Sequence, residues 1–322
     1  MKVELESRNF LSITDVTSHE LLLLIDRAQK LKQSHPSTSL PLLKGKTLAL
    51  LFEKPSLRTR VSFEVAMEQL GGHVIHLSQT DVGIGSREPI SDIGKVLSRW
   101  VQGIAYRAFD HKSIEELALN STVPVINALS DLEHPCQALG DLVTIKEKFL
   151  TLDHCIISFV GDGNNVASSL ALAAMSAGAT FRIASPKGYE LPQKIVDHAK
   201  EIARFTGANL QQMDNPVEAA KDAHVIYTDV WASMGQEEHA NERKKIFAEF
   251  KVTDQLLRHA TTSAIFMHDM PVHYGEEIEP GFLDHPQSVA FDQAENRLYA
   301  QKAILESLLS PTPEKNEIKK GI

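Results

Sequence analysis

Hydrophobic positions along the chain switch repeatedly between two periods. Residues 46–52 (KTLALLF) form a short apolar run with a glycine before it and a proline after it, the pattern of a buried strand. After Pro55 the period changes. Phe63, Ala66, Met67 and Leu70 recur at i, i+3, i+4 and i+7, which is one face of a helix, and Gly71-Gly72 stops it. An earlier helix is predicted over 18–32, opened by Thr17 and Glu20 in the form of a capping box. Further strands are predicted at 74–77, 103–106 and 123–126, with helices over 90–100 and 113–119 between them. Residues 78–89 are polar, contain glycine and have no period, so they read as a functional or mobile loop. From Pro135 a long helix runs to about residue 150 and is placed to link two halves. Strands follow at 155–160, 181–184, 225–228 and 264–267 with helical stretches between them, and a last helix covers 293–309. Strand-helix alternation in both halves calls for two doubly wound, mostly parallel α/β sheets covered by helices.

Composition fits that reading. The 322 residues are 43% hydrophobic, enough for two domains of ordinary size. A formal net charge of -9 argues against nucleic acid or an anionic membrane as the main partner, so positive charge meant for an anionic ligand must be concentrated locally. Cys136 and Cys155 have no paired spacing and supply neither a disulfide framework nor a zinc site. No apolar run approaches the roughly 18 residues of a membrane span, and the first ten residues lack the apolar stretch of a signal peptide, so a cytoplasmic location is expected.

Candidate chemistry concentrates where predicted strands end. Ser56 stands where a helix N-cap belongs, with Arg58, Thr59 and Arg60 in the first turn. Cations there oppose the positive end of the helix dipole by roughly 0.3–1 kcal/mol each unless an anion is present. Two hydroxyls, two guanidiniums and free backbone N–H groups then converge on a phosphate or carboxylate; the alternative is two solvated arginines beside an ordinary cap. Arg107 follows a strand, as a ligand or a surface arginine. His134-Pro135-Cys136-Gln137 offers an imidazole and an amide to a carbonyl oxygen that gains negative charge, or a capping histidine with an exposed glutamine. Gly161-Asp162-Gly163-Asn164-Asn165-Val166 lacks the third glycine and the later acidic residue of a dinucleotide site, leaving Asn164 and Asn165 as ligands at a sheet's carboxyl end or as turn residues. The loop from Asp229 through Ser233, Met234 and Gly235 presents a carboxylate and a hydroxyl suited to an amine, or is a plain loop. His268 and Asp269 are neighbours at a strand end, where alternation points them apart and argues against a catalytic triad. No Ser-His-Asp set, HExxH or Walker A sequence is present.

In their order these motifs resemble the aspartate/ornithine carbamoyltransferase family, most closely its ornithine carbamoyltransferases, from Arg8-Asn9-Phe10-Leu11 to the last helix. The family's Ser-Thr-Arg-Thr-Arg loop is matched by Ser56, Leu57, Arg58, Thr59 and Arg60, its strand-end Arg by Arg107, its His-Pro-x-Gln by His134 to Gln137, and its Asn-Asn by Asn164-Asn165. Its ornithine loop is matched by Asp229 to Gly235, and its late arginine by Arg297. The resemblance implies a carbamoyl phosphate-binding domain over 1–145, with a C-terminal helical segment over 292–322 packing back on it, and an amino-acid-binding domain over 146–291. It implies Ser56, Leu57, Arg58, Thr59, Arg107, His134, Gln137 and Arg297 at carbamoyl phosphate, and Asn165, Asp229, Ser233 and Met234 at ornithine, with Asp269 beside the attacking amine. It further implies transfer of the carbamoyl group to the δ-amine of L-ornithine, giving L-citrulline and phosphate. No metal or organic cofactor is needed, and the expected assembly is a homotrimer or a multiple of trimers.

Three positions depart from the family pattern. Leu57 replaces a threonine, which is tolerable if the position contributes its backbone N–H. Gly83 replaces a glutamine in the loop that the family lends to a neighbouring subunit. Asp269 replaces the cysteine of His-Cys-Leu-Pro and puts an anion near the attacking amine, where it pairs with that amine or with an arginine. These departures leave open a carbamoyltransferase for another amine or amino acid, or a non-catalytic carbamoyl phosphate-binding paralogue.

Overall fold

The computed structural model describes residues 2–34, 41–232 and 240–310. In the first half, α1 (Ser18–Gln33) precedes β1 (Thr47–Phe52), α2 (Leu57–Gln69), β2 (His73–Ser78), α3 (Gln79–Val82) and α4 (Ile90–Leu97). β3 (Gly103–Arg107), α5 (His111–Leu119), β4 (Val125–Leu129) and the long α6 (Pro135–Phe149) follow. The second half runs through β5 (Ile156–Val160), α7 (Asn165–Ser176), β6 (Thr180–Ala184), α8 (Gln193–Thr206), β7 (Asn209–Met213) and α9 (Pro216–Ala220). It ends with β8 (Val225–Thr228), α10 (Ala240–Ile246), α11 (Asp254–Leu257), β9 (Ile265–His268) and α12 (Ala290–Leu309).

Among the described residues the strands make two parallel sheets, ordered β2-β1-β3-β4 and β7-β6-β5-β8-β9. Both are α/β doubly wound, as the alternating periods predict. In each, the chain moves outward from a central strand on one side and then returns to the other, which opens a crevice at the strands' carboxyl ends. In the first sheet that crevice lies between β1 and β3, where Phe52 pairs with Arg107. In the second it lies between β5 and β8, where Phe159 pairs with Tyr227.

β7 is absent from the expected strands. It is an edge strand reading Asn-Leu-Gln-Gln-Met, and no apolar run marks it. The 78–89 segment is more ordered than its sequence suggests: α3 ends on Gly83 in the left-handed region, and Ile84 bridges to Glu88.

α12 packs on α6, α1 and α2, so the C-terminal helix lies against elements of the first half. Gly140 of α6 faces the Arg297 backbone, where even a β-carbon would make ordinary contact at 3.4 Å. Residues 311–322 of the segment expected to return there lie outside the described residues. One apolar core runs beneath both sheets, joining Leu48, Leu50 and Phe63 through Leu139, Leu142, Ala300 and Ile304 to Ile157, Phe159 and Phe181.

Candidate active site

At the first crevice Ser56 caps α2, and its Oγ accepts the Thr59 N–H at 3.3 Å. The N–H groups of Leu57 and Arg58 remain at the open end of the helix. Leu57 itself is 73% exposed, so its side chain contributes little there. The expectation that both arginines converge is corrected. Arg60 turns to the exposed face and pairs with Glu64 at 2.9 Å, because residues two apart on a helix do not face the same way.

Arg107, His134 and Gln137 are buried around the same point. Arg107 ends β3, where the register to β4 shifts. His134 is the N-cap of α6 through its backbone, its N–H bonds Ser169 Oγ at 2.8 Å, and its ring does not cap the helix. Gln137 is buried, so the exposed-glutamine alternative is excluded. Arg297 enters from α12 and donates from Nη2 to Thr59 Oγ1 at 2.6 Å.

The charges press on one another. Burial lowers Arg107 to about 10, reinforced by Arg297 and Arg58 and opposed by Asp269. Burial also depresses Arg297, with Asp269 opposing. His134 is held well below the ordinary imidazole range by burial and then by Arg297 and Arg107, so it is neutral at pH 7. Among the described residues Arg107 Nε, Arg297 Nε, His134 Nδ1 and Gln137 Oε1 are buried without a hydrogen-bond partner. Orphaned buried polar atoms cost about 1–3 kcal/mol each unless a ligand satisfies them. Three guanidiniums, an imidazole and an amide oxygen thus form an anion site with a polar flank.

The second crevice faces the first. Asn164 caps α7 by accepting from Val166 and Ala167, and its Nδ2 donates to Asp229 Oδ2 at 2.7 Å. Asn165 donates to the Ser130 carbonyl at 2.7 Å, across to the segment before His134. Of the two asparagines, it is Asn164 that touches Asp229. Asp229 and Asp269 share a hydrogen bond. Burial and the neighbouring Asp269 raise Asp229 well above the usual carboxylate range, so it holds the shared proton. Asp269 rises to about 6, mainly through burial, with the bond from Asp229 opposing. Its Oδ1 is also without a partner. Ser233, Met234 and Gly235 lie outside the described residues.

Among the described residues, Asp229, His268 and Asp269 are the group that brings metal-type ligand atoms within 4.8 Å of one another. Apart from Asp269 Oδ1, their ligand atoms are already engaged. His268 Nδ1 accepts the Met270 N–H at 2.9 Å, Nε2 faces Glu277 Oε1 at 3.2 Å, and the carboxyls share a proton. His268 Nδ1 nevertheless stands 3.7 Å from Asp269 Oδ1, closer than strand alternation suggests, because Asp269 lies beyond the end of β9.

Of the glycines after β5, Gly161 takes a φ of +143° and Gly163 serves packing. A β-carbon on Gly163 would lie 2.4 Å from the Glu190 carbonyl carbon, so its bare backbone makes room for the 188–191 turn.

Behind the site is a buried network that motif reading does not reach. Asp141 Oδ1 accepts from Gln137 Nε2 at 2.9 Å and Gln293 Nε2 at 2.7 Å, and Asp141 Oδ2 accepts from Tyr227 Oη at 3.2 Å. The available signal was spacing: Asp141 lies four residues after Gln137 and therefore on the same helix face.

A buried anion site on one sheet opposed by paired carboxyls on another defines a two-domain α/β protein of the group-transfer type. Family models agree with that class. Residues 8–147 match the aspartate/ornithine carbamoyltransferase carbamoyl-P binding domain, and residues 153–308 match the Asp/Orn binding domain. The anabolic ornithine carbamoyltransferase of Pyrococcus furiosus is 49% identical over 311 residues, covering 95% of this chain and 97% of that protein. The catabolic ornithine carbamoyltransferase of Thermoplasma acidophilum is 46% identical over 306 residues, covering 95% of this chain and 100% of that protein. The solved structure of the Pyrococcus furiosus enzyme superposes with a TM-score of 0.89 at 47% identity, covering 96% of this chain and 98% of that one. That of the Gloeobacter violaceus ornithine carbamoyltransferase gives 0.85 at 42% identity, covering 94% and 99%. This chain belongs to the aspartate/ornithine carbamoyltransferase family.

Proposed function

We propose that this protein transfers the carbamoyl group of carbamoyl phosphate to the δ-amine of L-ornithine, giving L-citrulline and phosphate. The observation that carries the reading is the facing pair of crevices, with Arg58, Arg107 and Arg297 on one side and the proton-sharing Asp229 and Asp269 on the other. Carbamoyl phosphate is assigned to 1–145 with the returning segment 292–322, and the amino acid to 146–291.

The donor's phosphate binds the N–H groups after Ser56 together with Arg58, Arg107 and Arg297. Thr59, His134 and Gln137 surround the carbamoyl group, and neutral His134 donates to its oxygen. The unprotonated δ-amine attacks the carbonyl carbon, a tetrahedral intermediate forms, and the C–O bond to phosphate breaks, with the proton shed by the amine nitrogen taken up by the departing phosphate. Positioning and stabilisation of the developing oxyanion supply most of the rate. Asn165, Asp229, Ser233 and Met234 hold the acceptor, with Asp269 beside its amine.

We assign a homotrimer or multiple of trimers in the cytoplasm, within arginine metabolism. Exposed apolar side chains such as Trp100 and Ile75 on the first half support a covered face. No described helix is long and apolar enough to cross a membrane.

Asp269 favours one second reading, a carbamoyltransferase for another amine or amino acid. Purified protein given carbamoyl phosphate and ornithine should yield citrulline. A panel of putrescine, lysine and acylated ornithines separates the two readings, and carbamoylation of another acceptor in place of ornithine would establish the second.

A further inference from the structure

Gln137 has to present one particular end of its amide to the donor. A carbamoyl group offers both a carbonyl oxygen, which accepts, and an NH2, which donates. The oxygen is already served by neighbouring donors, so the useful contribution from Gln137 is an acceptor for the NH2. Side-chain amides rotate readily, and nothing in Gln137 itself selects which end faces the site. The selection comes from behind.

We infer that Asp141 is a positioning residue that sets the amide of Gln137: by accepting the Gln137 Nε2–H, it turns Gln137 Oε1 into the site, where that oxygen accepts from the carbamoyl NH2. This rests on the reading of the donor as carbamoyl phosphate.

Gln137 Nε2 lies 2.9 Å from Asp141 Oδ1, and Gln137 Oε1 is buried with no protein partner among the described residues. The His268 N–H fixes the Gln293 amide so that its Nε2 donates to Asp141 Oδ1; that oxygen is therefore an acceptor whether or not Oδ2 carries a proton, and the end of the Gln137 amide facing it is nitrogen. Asp141 is itself fixed by Gln293 Nε2 at 2.7 Å and Tyr227 Oη at 3.2 Å, so it cannot swing away to follow Gln137. Gln293 also donates to Tyr227 Oη at 2.9 Å, and its own oxygen accepts the His268 N–H at 2.9 Å. The carboxylate therefore ties α6, β8, β9 and α12 together behind the reacting groups. Tyr227 lies two residues before Asp229, and His268 immediately precedes Asp269. Burial pushes Asp141 up to about 7, against the bonds from Gln137, Gln293 and Tyr227. Of its three partners, Gln137 is the one that keeps an unpartnered buried polar atom among the described residues.

A double-mutant cycle tests the inference on the full-length protein. Asp141→Asn keeps the volume and can present its carbonyl oxygen to Gln137, so it should retain kcat/KM for carbamoyl phosphate within about tenfold. Asp141→Leu removes the acceptor and should lose about tenfold or more in kcat/KM, and Gln137→Ala about as much. In the double variant of Asp141→Leu with Gln137→Ala the loss should be no larger than in Gln137→Ala alone, a coupling expected only if Asp141 acts through Gln137. Binding of inorganic phosphate, followed by calorimetry, should stay within about threefold in Gln137→Ala, which changes no charge at the anion site. Effects that simply multiply in the double variant, or phosphate affinity that falls in step with carbamoyl phosphate affinity, would overturn the inference. Wild-type protein that forms no carbamoylated product with any amine would instead overturn the reading of the donor, so the two failures are distinguishable.

Discussion

Arg297 donates a 2.6 Å hydrogen bond to Thr59, although 238 residues of chain separate them. One residue sits in the last helix and the other in the first turn of α2, so the anion site closes only when the end of the chain has docked. Arg297→Leu should therefore lower kcat/KM for carbamoyl phosphate by roughly 10²–10³-fold, the usual consequence of removing a charge-stabilising donor. Arg297→Lys should restore only part of that, because a point charge cannot reach Thr59 and an anion together as a guanidinium does. Steady-state kinetics with carbamoyl phosphate varied checks both.

The two arginines of the capped turn should behave differently. Arg60 forms an exposed i,i+4 pair with Glu64, worth roughly 0.3–0.5 kcal/mol. Arg60→Ala should leave the KM for carbamoyl phosphate within about twofold. Arg58→Ala should raise it by about 10²-fold, the loss of a charge-assisted contact. Equal effects at both positions would refute the assignment of Arg58 alone to the anion.

Asp269 predicts a pH signature in the acceptor. With Asp269 raised to about 6, the carboxyl pair carries a net charge above that pH and loses it below. The kcat/KM for the amino-acid acceptor should therefore fall as pH drops through about 6, and Asp269→Asn should remove that limb. Profiles on either side of that value decide the point.

The same shift has a consequence for stability. A carboxyl whose folded pKa is raised binds its proton more tightly in the folded state, so its contribution is full below the unfolded value of 3.8 and is lost as pH rises through about 6. Asp269→Asn should accordingly gain melting temperature relative to wild type as pH is raised from about 4 to about 8. A difference that stays constant with pH would argue against the shift.

Gly163→Ala should cost more than about 2 kcal/mol, since its β-carbon would meet backbone that cannot move aside. Denaturant unfolding measures it. The result bears on why Gly163 is there, because close packing against residue 190 accounts for it without a nucleotide.

Much of this architecture is legible in the residues alone. Periodicity marks every strand but β7, because a strand buried on both faces must be apolar throughout and a covering helix must be apolar on one side. The capped turn at Ser56 and the placement of Arg107, His134 and Gln137 at element ends are recognisable because strand ends, helix caps and prolines leave local marks, whereas the burial of Arg107 and Gln137 is not, since a surface arginine and an exposed glutamine read the same way. β7 is not, since an edge strand needs no apolar run.

What folding alone decides is which way side chains point and what they meet. Arg58 and Arg60 are alike in the sequence, and only the rotation of α2 against β1 sends one inward and the other to Glu64. Asp229 and Asp269 are far apart in chain order and become a proton-sharing pair only because β8 and β9 lie side by side. Asp141 carries no motif; its partners come from α6, β8 and α12. Local sequence encodes local structure through short-range sterics and hydrogen bonding, whereas burial, shared protons and crossed helices depend on distances that exist only after the two sheets and the returning helix have packed.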